Sequence, residues 1–188
     1  MIPMTTDGDF DYEELEKRLL AYRDYNALKV GTFSAGSNIT GNVFDTDRIA
    51  VLCHKYSTIA CFDYAAVGPY VQINMNGPAE GTTISEQDKE LAYKDAIFIS
   101  PHKFIGGPGA SGVLLAKKNI LLSKKPIRSG GGIVLYVNES EHEYVRNVEE
   151  LEEAGTPNVL GDIKAGLVFH LKDEISVKTI HEREQHIQ

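Results

Sequence analysis

Lys103 is the residue of this chain whose position best suits covalent chemistry. It follows an apolar stretch at residues 95–100, which predicts a buried strand, and it precedes a glycine-rich segment at residues 104–109. Lysine normally lies on a solvated surface. At the end of a strand we expect it to be partly desolvated, which lowers the pKa of its amine and frees the lone pair that a nucleophile needs. This placement favours a Schiff base with an aldehyde cofactor.

Other polar residues are candidates for holding such a cofactor, with pyridoxal phosphate (PLP) as the obvious choice. PLP accepts electrons only when its pyridine nitrogen is protonated, and a nearby carboxylate keeps it protonated. Asp63 suits that role because it ends an apolar stretch, residues 59–62, where a carboxylate would otherwise lack a partner. Asn38 is placed to donate to the ring hydroxyl oxygen. Ser100 and His102 are predicted to hydrogen-bond the phosphate.

The elements that position these residues alternate between strands and helices. Strands are predicted at residues 27–34, 58–63, 95–100 and 112–116, and short strands at 133–137 and 143–148 are predicted to lie near each other. Helices are predicted at residues 12–25 and 45–56, from residue 160 and from about residue 175, with a weak helix or turn at 85–93. This alternation indicates an α/β fold with a mostly parallel sheet flanked by helices.

The predicted topology gathers the candidate residues. Ligands of open α/β sheets bind beyond the carboxyl ends of the strands. Asn38 lies in the loop after the first strand, Asp63 ends the second, and Ser100, His102 and Lys103 follow the third. We therefore expect these residues to converge at one edge of the sheet.

Size and composition limit the other classes of function. The 188 residues, 42% of them hydrophobic, suffice for one domain or one incomplete domain. The net charge of -8 argues against a nucleic-acid partner, and no apolar run approaches the roughly 20 residues that span a bilayer. The N-terminus shows no secretory signal, and Cys53 and Cys61 lack the CxxC spacing. We expect a cytoplasmic protein with free thiols buried in its core.

Two further motifs do not carry a function. Residues 107–112 have the glycine spacing of dinucleotide-binding sites, but they precede a predicted strand instead of linking a strand to a helix. His181 and His186 are five residues apart, whereas a zinc-binding helix places its histidines four apart. The sequence therefore predicts no metal site, and a nucleotide-binding protein is the least favoured hypothesis.

Six short motifs in order resemble the class V PLP-dependent aminotransferases, the group that contains cysteine desulfurases and selenocysteine lyases. They are SNITG at residues 37–41, FDYAA at 62–66, SPHK at 100–103, GGPG at 106–109, GGG at 130–132 and GTPN at 155–158. Each motif is weak evidence alone, but six motifs in this order and at compatible spacings argue against a chance match. The resemblance covers roughly residues 28–170.

The resemblance implies a role for each candidate residue. It makes Lys103 the Schiff-base lysine and Asp63 the partner of the pyridine nitrogen. Asn38 resembles the residue that faces the ring oxygen, and Ser100 and His102 resemble phosphate ligands.

The resemblance also implies a homodimer and an incomplete domain. Thr156 resembles the phosphate ligand that one subunit lends to the site of its neighbour. Residues 1–188 are expected to form a single partial PLP-binding large domain of fold type I, because the family's N-terminal part of that domain and its small C-terminal domain have no counterpart here. Ala66 stands where the family usually has glutamine or histidine against the ring oxygen.

The leading hypothesis is a PLP-dependent transferase or lyase core, cysteine desulfurase-like, that acts on an amino acid. Lys103 would hold the cofactor and then move protons as a general acid and base. The alternative is an incomplete PLP fold that serves as a non-catalytic binding or interaction module.

Overall fold

A four-stranded sheet forms the centre of the computed structural model, which describes residues 1–79 and 82–187. Its strands are β1 (Val30–Ser34), β2 (Ile59–Asp63), β3 (Ala96–Ile99) and β4 (Val113–Ala116), in the spatial order β1-β2-β3-β4. β1, β2 and β3 are parallel, and β4 is antiparallel to β3. The predicted mostly parallel sheet is confirmed.

In the described part of the chain, five α-helices and a separate β-hairpin surround or follow this sheet. The helices are α1 (Tyr12–Ala21), α2 (Thr46–Lys55), α3 (Val148–Glu152), α4 (Val159–Ile175) and α5 (Val177–Ile187). The hairpin pairs β5 (Val134–Val137) with β6 (His142–Tyr144) in antiparallel fashion. Short 3-10 turns occupy Lys89–Leu91, Pro101–Lys103 and Lys118–Ile120. No helix in the described part of the chain combines the length and apolarity that a membrane span requires.

α2 illustrates how the local sequence builds the core. Asp45 caps the helix, since its carboxylate accepts the backbone N–H of Arg48 at 2.9 Å. Ile49 and Cys53 lie on one face of the helix and are fully buried, in one hydrophobic cluster with Phe62 of β2. The helix therefore covers one face of the sheet.

The other face of the sheet is more open. Side chains of a strand alternate between its two faces, and the residues that share a face with Asp63 include Val30, Ser34, Phe98 and Leu114, all of them exposed. The candidate carboxylate therefore lies on an accessible surface of the sheet.

A buried ion pair fastens α2 to the segment before β3. Lys94 is 1% exposed and its ammonium group contacts the carboxylate of buried Asp47. The same ammonium donates to the carbonyls of Ala92 at 3.1 Å and Gly77 at 3.3 Å. The second Asp47 oxygen accepts the amide of Ala79 at 2.8 Å. Both charges thus have full sets of partners, as buried charges require.

A second buried network lies beside it, at the amino ends of the strands. The ring nitrogens of His54 contact the Leu91 carbonyl at 2.6 Å and the Asp95 carboxylate at 2.9 Å. Asp95 also accepts the amide of Ala60 at 2.8 Å, and the His54 ring stacks on Tyr93. This network links α2 to the amino ends of β2 and β3. The candidate site lies at the carboxyl ends of the same strands, so we assign the network a structural role.

Two predicted boundaries were wrong. α1 ends at Ala21 and not at residue 25, because only Leu15 and Leu19 are buried and the residues that follow have no core to cover. β1 begins at Val30 and not at residue 27, because its pairing with β2 begins there.

Residues 143–148 do not form one strand. β6 ends at Tyr144, and Asn147 then caps α3 by accepting the amide of Glu149 at 3.0 Å. The buried side chain of Leu151 draws this short helix onto the protein.

The prediction for the cysteines is confirmed. Cys53 and Cys61 are free thiols and both are buried. Burial raises the pKa of the Cys53 thiol to about 12, so this side chain behaves as a small apolar group.

Candidate active site

Asp63 lies at the carboxyl end of β2, in the middle of the parallel strands. Its neighbours in the sheet are Ser34 at the end of β1 and Phe98 near the end of β3. The Asp63 carboxylate accepts the amide of Ala65 at 2.7 Å, which fixes its orientation at the start of the next turn. Asp63 is exposed, so its carboxylate is open to a ligand.

Ser100, His102 and Lys103 follow β3 at the same edge. β3 ends at Ile99, and the chain then forms the 3-10 turn that carries His102 and Lys103. The amide of Lys103 donates to the Ser100 carbonyl at 3.0 Å and closes this turn. His102 and Lys103 are both exposed. The expected desolvation of Lys103 is therefore wrong, because the turn carries its side chain past the buried end of the strand to the surface.

Glycine 107 makes this turn possible. A Cβ atom there would lie 2.0 Å from the carbonyl oxygen of Pro101, a distance that real structures do not show. Only glycine allows the chain to pass so close to the turn that carries Lys103.

Asn38 lies in a loop that closes on itself after β1. Gly36 bridges to Val43 in antiparallel fashion, and the Ser37 amide donates to the Asn42 carbonyl at 2.8 Å. A Cβ atom on Gly36 would lie 2.4 Å from a methyl group of Val67, so glycine lets this loop approach the turn that follows Asp63. Asn38 is exposed. The loop is thus packed against the Asp63 region.

Thr156 lies in the loop between α3 and α4 and is exposed. Two residues later Asn158 caps α4, and its amide group donates to the Ser111 hydroxyl at 3.3 Å. Ser111 precedes β4, whose first residue pairs with Ile99. The loop of Thr156 is therefore tied to the same edge of the sheet, although no described contact joins Thr156 to the other candidate residues.

A pocket of about 210 Å³ lies beside Asp63 on the open face of the sheet. Thr32, Ser34, Cys61 and Phe98 line it together with Asp63. Hydroxyl groups, a carboxylate and an aromatic ring thus meet in one shallow depression. Thr32 and Ser34 were not predicted as site residues from the sequence, although their alternate positions in β1 place them on the face of Asp63.

Two lysines of α4 also lie near the site and were not predicted from the sequence. Lys164 donates to the Pro108 carbonyl at 2.8 Å and so adds a cation beside the glycine-rich turn. Lys172 donates to the carbonyls of Gly68 at 2.7 Å and Val71 at 2.5 Å, in the segment that follows Asp63. Both interactions join residues that are far apart in the sequence.

Lys172 makes the stability of the protein depend on pH. Burial lowers the pKa of its ammonium group to about 8, whereas the ordinary value is 10.5. Between these values the unfolded chain binds more protons than the folded one, so stability contributed through Lys172 rises with pH. Urea unfolding of the wild type and of Lys172→Met from pH 7 to pH 10.5 should show the wild type gaining stability relative to the variant above about pH 8.

The variant is the necessary reference for that measurement. Tyr64 and Cys53 also titrate abnormally, with raised pKa values, but they are present in both proteins and cancel in the difference. A difference in stability that stays constant across the pH range would contradict the prediction.

The sequence profile of the family described as Aminotransferase class-V matches residues 1–188. The chain belongs to the class-V aminotransferase family. The resemblance drawn from the six motifs is therefore confirmed.

Curated relatives of this class-V aminotransferase chain include cysteine desulfurases. It is 25% identical over 186 residues to a probable cysteine desulfurase of Halalkalibacterium halodurans, covering 99% of this chain and 41% of that protein. A probable cysteine desulfurase of Staphylococcus aureus is likewise 25% identical, over 99% of this chain and 40% of that protein. The chain thus spans about 40% of the length of the curated relatives it matches.

Solved structures confirm the fold. The apo structure of a cysteine desulfurase from Thermococcus onnurineus matches 95% of this chain and 39% of its own, with a TM-score of 0.74 and 20% identity. A cysteine desulfurase from Escherichia coli matches the same shares with a TM-score of 0.71 and 23% identity. The predicted fold class, a mostly parallel α/β sheet flanked by helices as in these PLP-dependent enzymes, is therefore confirmed.

The residues at this edge suit the cofactor of class-V aminotransferases, which is PLP. PLP carries a pyridine nitrogen, a ring oxygen, an aldehyde and a phosphate. The edge presents a carboxylate at Asp63, an amide at Asn38, an amine at Lys103, and a hydroxyl and an imidazole at Ser100 and His102. Each group of the cofactor has a partner of matching chemistry, so the donor set fits.

Proposed function

We propose that this chain is the PLP-binding core of an enzyme that acts on an amino acid. One observation carries the proposal: Asp63 and the turn of Lys103 follow adjacent parallel strands, β2 and β3, at one edge of the sheet. A carboxylate and an amine at the same end of two adjacent strands can engage opposite ends of one planar ring. Membership of the class-V aminotransferase family supports the same cofactor.

Bound PLP supplies an electron sink that stabilises a carbanion at the Cα atom of an amino acid. Asp63 holds a proton on the ring nitrogen, because its charge favours the cationic ring. Lys103 would hold the cofactor through its amine. It would also take and return the proton at the Cα atom of the substrate, as general base and acid.

We assign the remaining candidate residues to binding and orienting PLP. Asn38 donates to the ring oxygen, and Ser100 and His102 hydrogen-bond the phosphate. Thr156 of a second copy completes the phosphate site, which makes a homodimer part of the proposal. The exposed position of Thr156 leaves it free to reach a neighbouring subunit.

Cysteine desulfuration is the specific reaction that the relatives favour. The first curated relatives are probable cysteine desulfurases at 25% identity. We therefore propose a small amino acid, cysteine above all, as the substrate class.

One observation favours a second candidate, an interaction module without catalysis. The open face of the sheet, which also carries Asp63, exposes Val30, Phe98 and Leu114. Exposed apolar surface of this kind is typical of association sites. The two candidates differ in whether the chain holds PLP covalently.

Titration with PLP tests the proposal. The wild type should develop the visible absorbance of a lysine-bound cofactor, because Lys103 is exposed and able to react. Lys103→Ala should lose that absorbance. The control Lys118→Ala, which changes an exposed lysine beyond β4, should behave as the wild type.

The molar mass of the same samples tests the homodimer. A dimer with covalent PLP supports the proposal, whereas a monomer that binds PLP contradicts the role given to Thr156. Association without any PLP absorbance would favour the interaction module instead.

A further inference from the structure

α4 joins the two segments that carry the proposed chemistry. One is the turn at residues 64–71, which follows Asp63. The other is the segment at residues 104–107, which follows Lys103. Both lie against the same helix, because the side chains of Phe169 and Lys172 reach them from α4. α4 therefore contacts the segments that follow both the Asp63 carboxylate and the Lys103 amine.

Lys172 makes the contact with the first segment. Its ammonium group donates to the carbonyls of Gly68 and Val71 at 2.7 and 2.5 Å. The amides of the same two residues turn inward, to the carbonyls of Tyr64 at 2.7 Å and Val67 at 3.2 Å. The turn thus ends with carbonyls that need donors, and Lys172 supplies them.

The same ammonium group faces the second segment. It lies 5.5 Å from the centre of the Phe104 ring, within the range of a cation–π contact. Phe104 is buried and packs edge-to-face on Phe169 of α4, with ring centres 5.2 Å apart. Phe104 is also the residue directly after Lys103, so its position sets where the backbone of Lys103 lies.

A charge in this place has a cost that packing alone does not explain. Lys172 is partly buried, and among the described residues it forms no ion pair with a carboxylate. An apolar side chain would fill the same position without the desolvation of an ammonium group. What an apolar side chain cannot supply is the pair of hydrogen bonds and the contact with the ring.

We propose that Lys172 is a positioning residue of the candidate active site, which holds the turn after Asp63 and the segment after Lys103 at a fixed separation. The inference rests on the proposed function, because the separation matters only if one cofactor engages both residues. Lys172 touches neither Asp63 nor the proposed cofactor groups, and it acts through backbone carbonyls and Phe104.

The test compares three variants of the full chain with the wild type. Lys172→Met removes the charge and both donors, Lys172→Arg keeps a charge and several donors, and Lys178→Met changes an exposed lysine of α5 as the control. PLP affinity is measured by titration, and amide hydrogen exchange is measured without PLP by mass spectrometry.

Lys172→Met should bind PLP roughly tenfold more weakly, the loss that accompanies removal of a charge-assisted hydrogen bond. Its amides in residues 64–71 and 104–107 should exchange faster while the rest of the chain is unchanged. Lys172→Arg should recover most of the PLP affinity and most of the amide protection. Lys178→Met should match the wild type in both measurements.

The outcomes separate this inference from the proposed function. Normal PLP binding by the wild type with equal binding by Lys172→Met overturns the positioning role alone. Faster exchange throughout the chain of Lys172→Met also overturns it, because the lysine would then be a general stabilising residue. Absence of PLP binding by the wild type overturns the proposed function, and the inference with it.

Discussion

Asp47→Ala should lower the free energy of unfolding by about 3–5 kcal/mol, the cost of leaving a buried charge without its partner. The ammonium group of Lys94 is 1% exposed, so water cannot replace the lost carboxylate. The carbonyls of Gly77 and Ala92 would remain as acceptors, but they do not neutralise the charge. Urea unfolding followed by circular dichroism measures the effect.

A second substitution separates the charge from the packing. Asp47→Ala combined with Lys94→Met removes both charges and should recover much of the loss, because no charge is then stranded. Asp88→Ala is the matched control, since its ion pair with Lys55 is at the surface and should contribute little. Equal unfolding midpoints for Asp47→Ala and the wild type would contradict the account of this buried pair.

Asp63→Ala should weaken PLP binding by roughly tenfold to a hundredfold, the range for one hydrogen bond that involves a charged group. Among the described residues, the Asp63 carboxylate accepts one hydrogen bond, from the Ala65 amide. Its remaining capacity is therefore open towards the pocket that it lines with Ser34 and Phe98. The affinity is measured by titration of the visible absorbance.

Asp63→Asn shows whether the charge or the shape of the Asp63 side chain is responsible for PLP binding. The asparagine side chain can still accept the Ala65 amide and keep the turn in place, but it cannot favour the cationic ring. We expect it to bind PLP as weakly as Asp63→Ala, while Asp24→Asn, at an exposed position, binds as the wild type. Wild-type affinity in Asp63→Asn would contradict the role of Asp63.

The strands and helices that carry the candidate site were predictable because their signals are local. The spacing of Ile49 and Cys53 predicts α2 within a residue at each end, since the apolar face lies inside one short segment. The short apolar runs before Asp63 and Ser100 predict β2 and β3 in the same way. Parallel pairing then follows from the helix between β1 and β2.

The contacts that hold the site together were not predictable, because they join distant residues. Asp47 and Lys94 are 47 residues apart, and Lys172 and Gly68 are 104 apart. In the sequence each of these charges looks like an ordinary surface residue. Only the fold shows that Asp47 and Lys94 form a buried ion pair and that Lys172 is partly buried against backbone carbonyls.

The exposure of Lys103 was also not predictable from the sequence. The apolar strand before it suggested a desolvated amine, but the turn Pro101–Lys103 carries the side chain outward. Where a side chain goes after a strand depends on the geometry of the turn, and a run of proline and glycines leaves several geometries open.

The central claim is that Lys103 holds the cofactor. The most direct measurement is borohydride reduction of the wild-type chain with PLP, followed by peptide mapping by mass spectrometry. We expect one phosphopyridoxyl group per chain, located on Lys103. Modification spread over other lysines, or no modification at all, would contradict it.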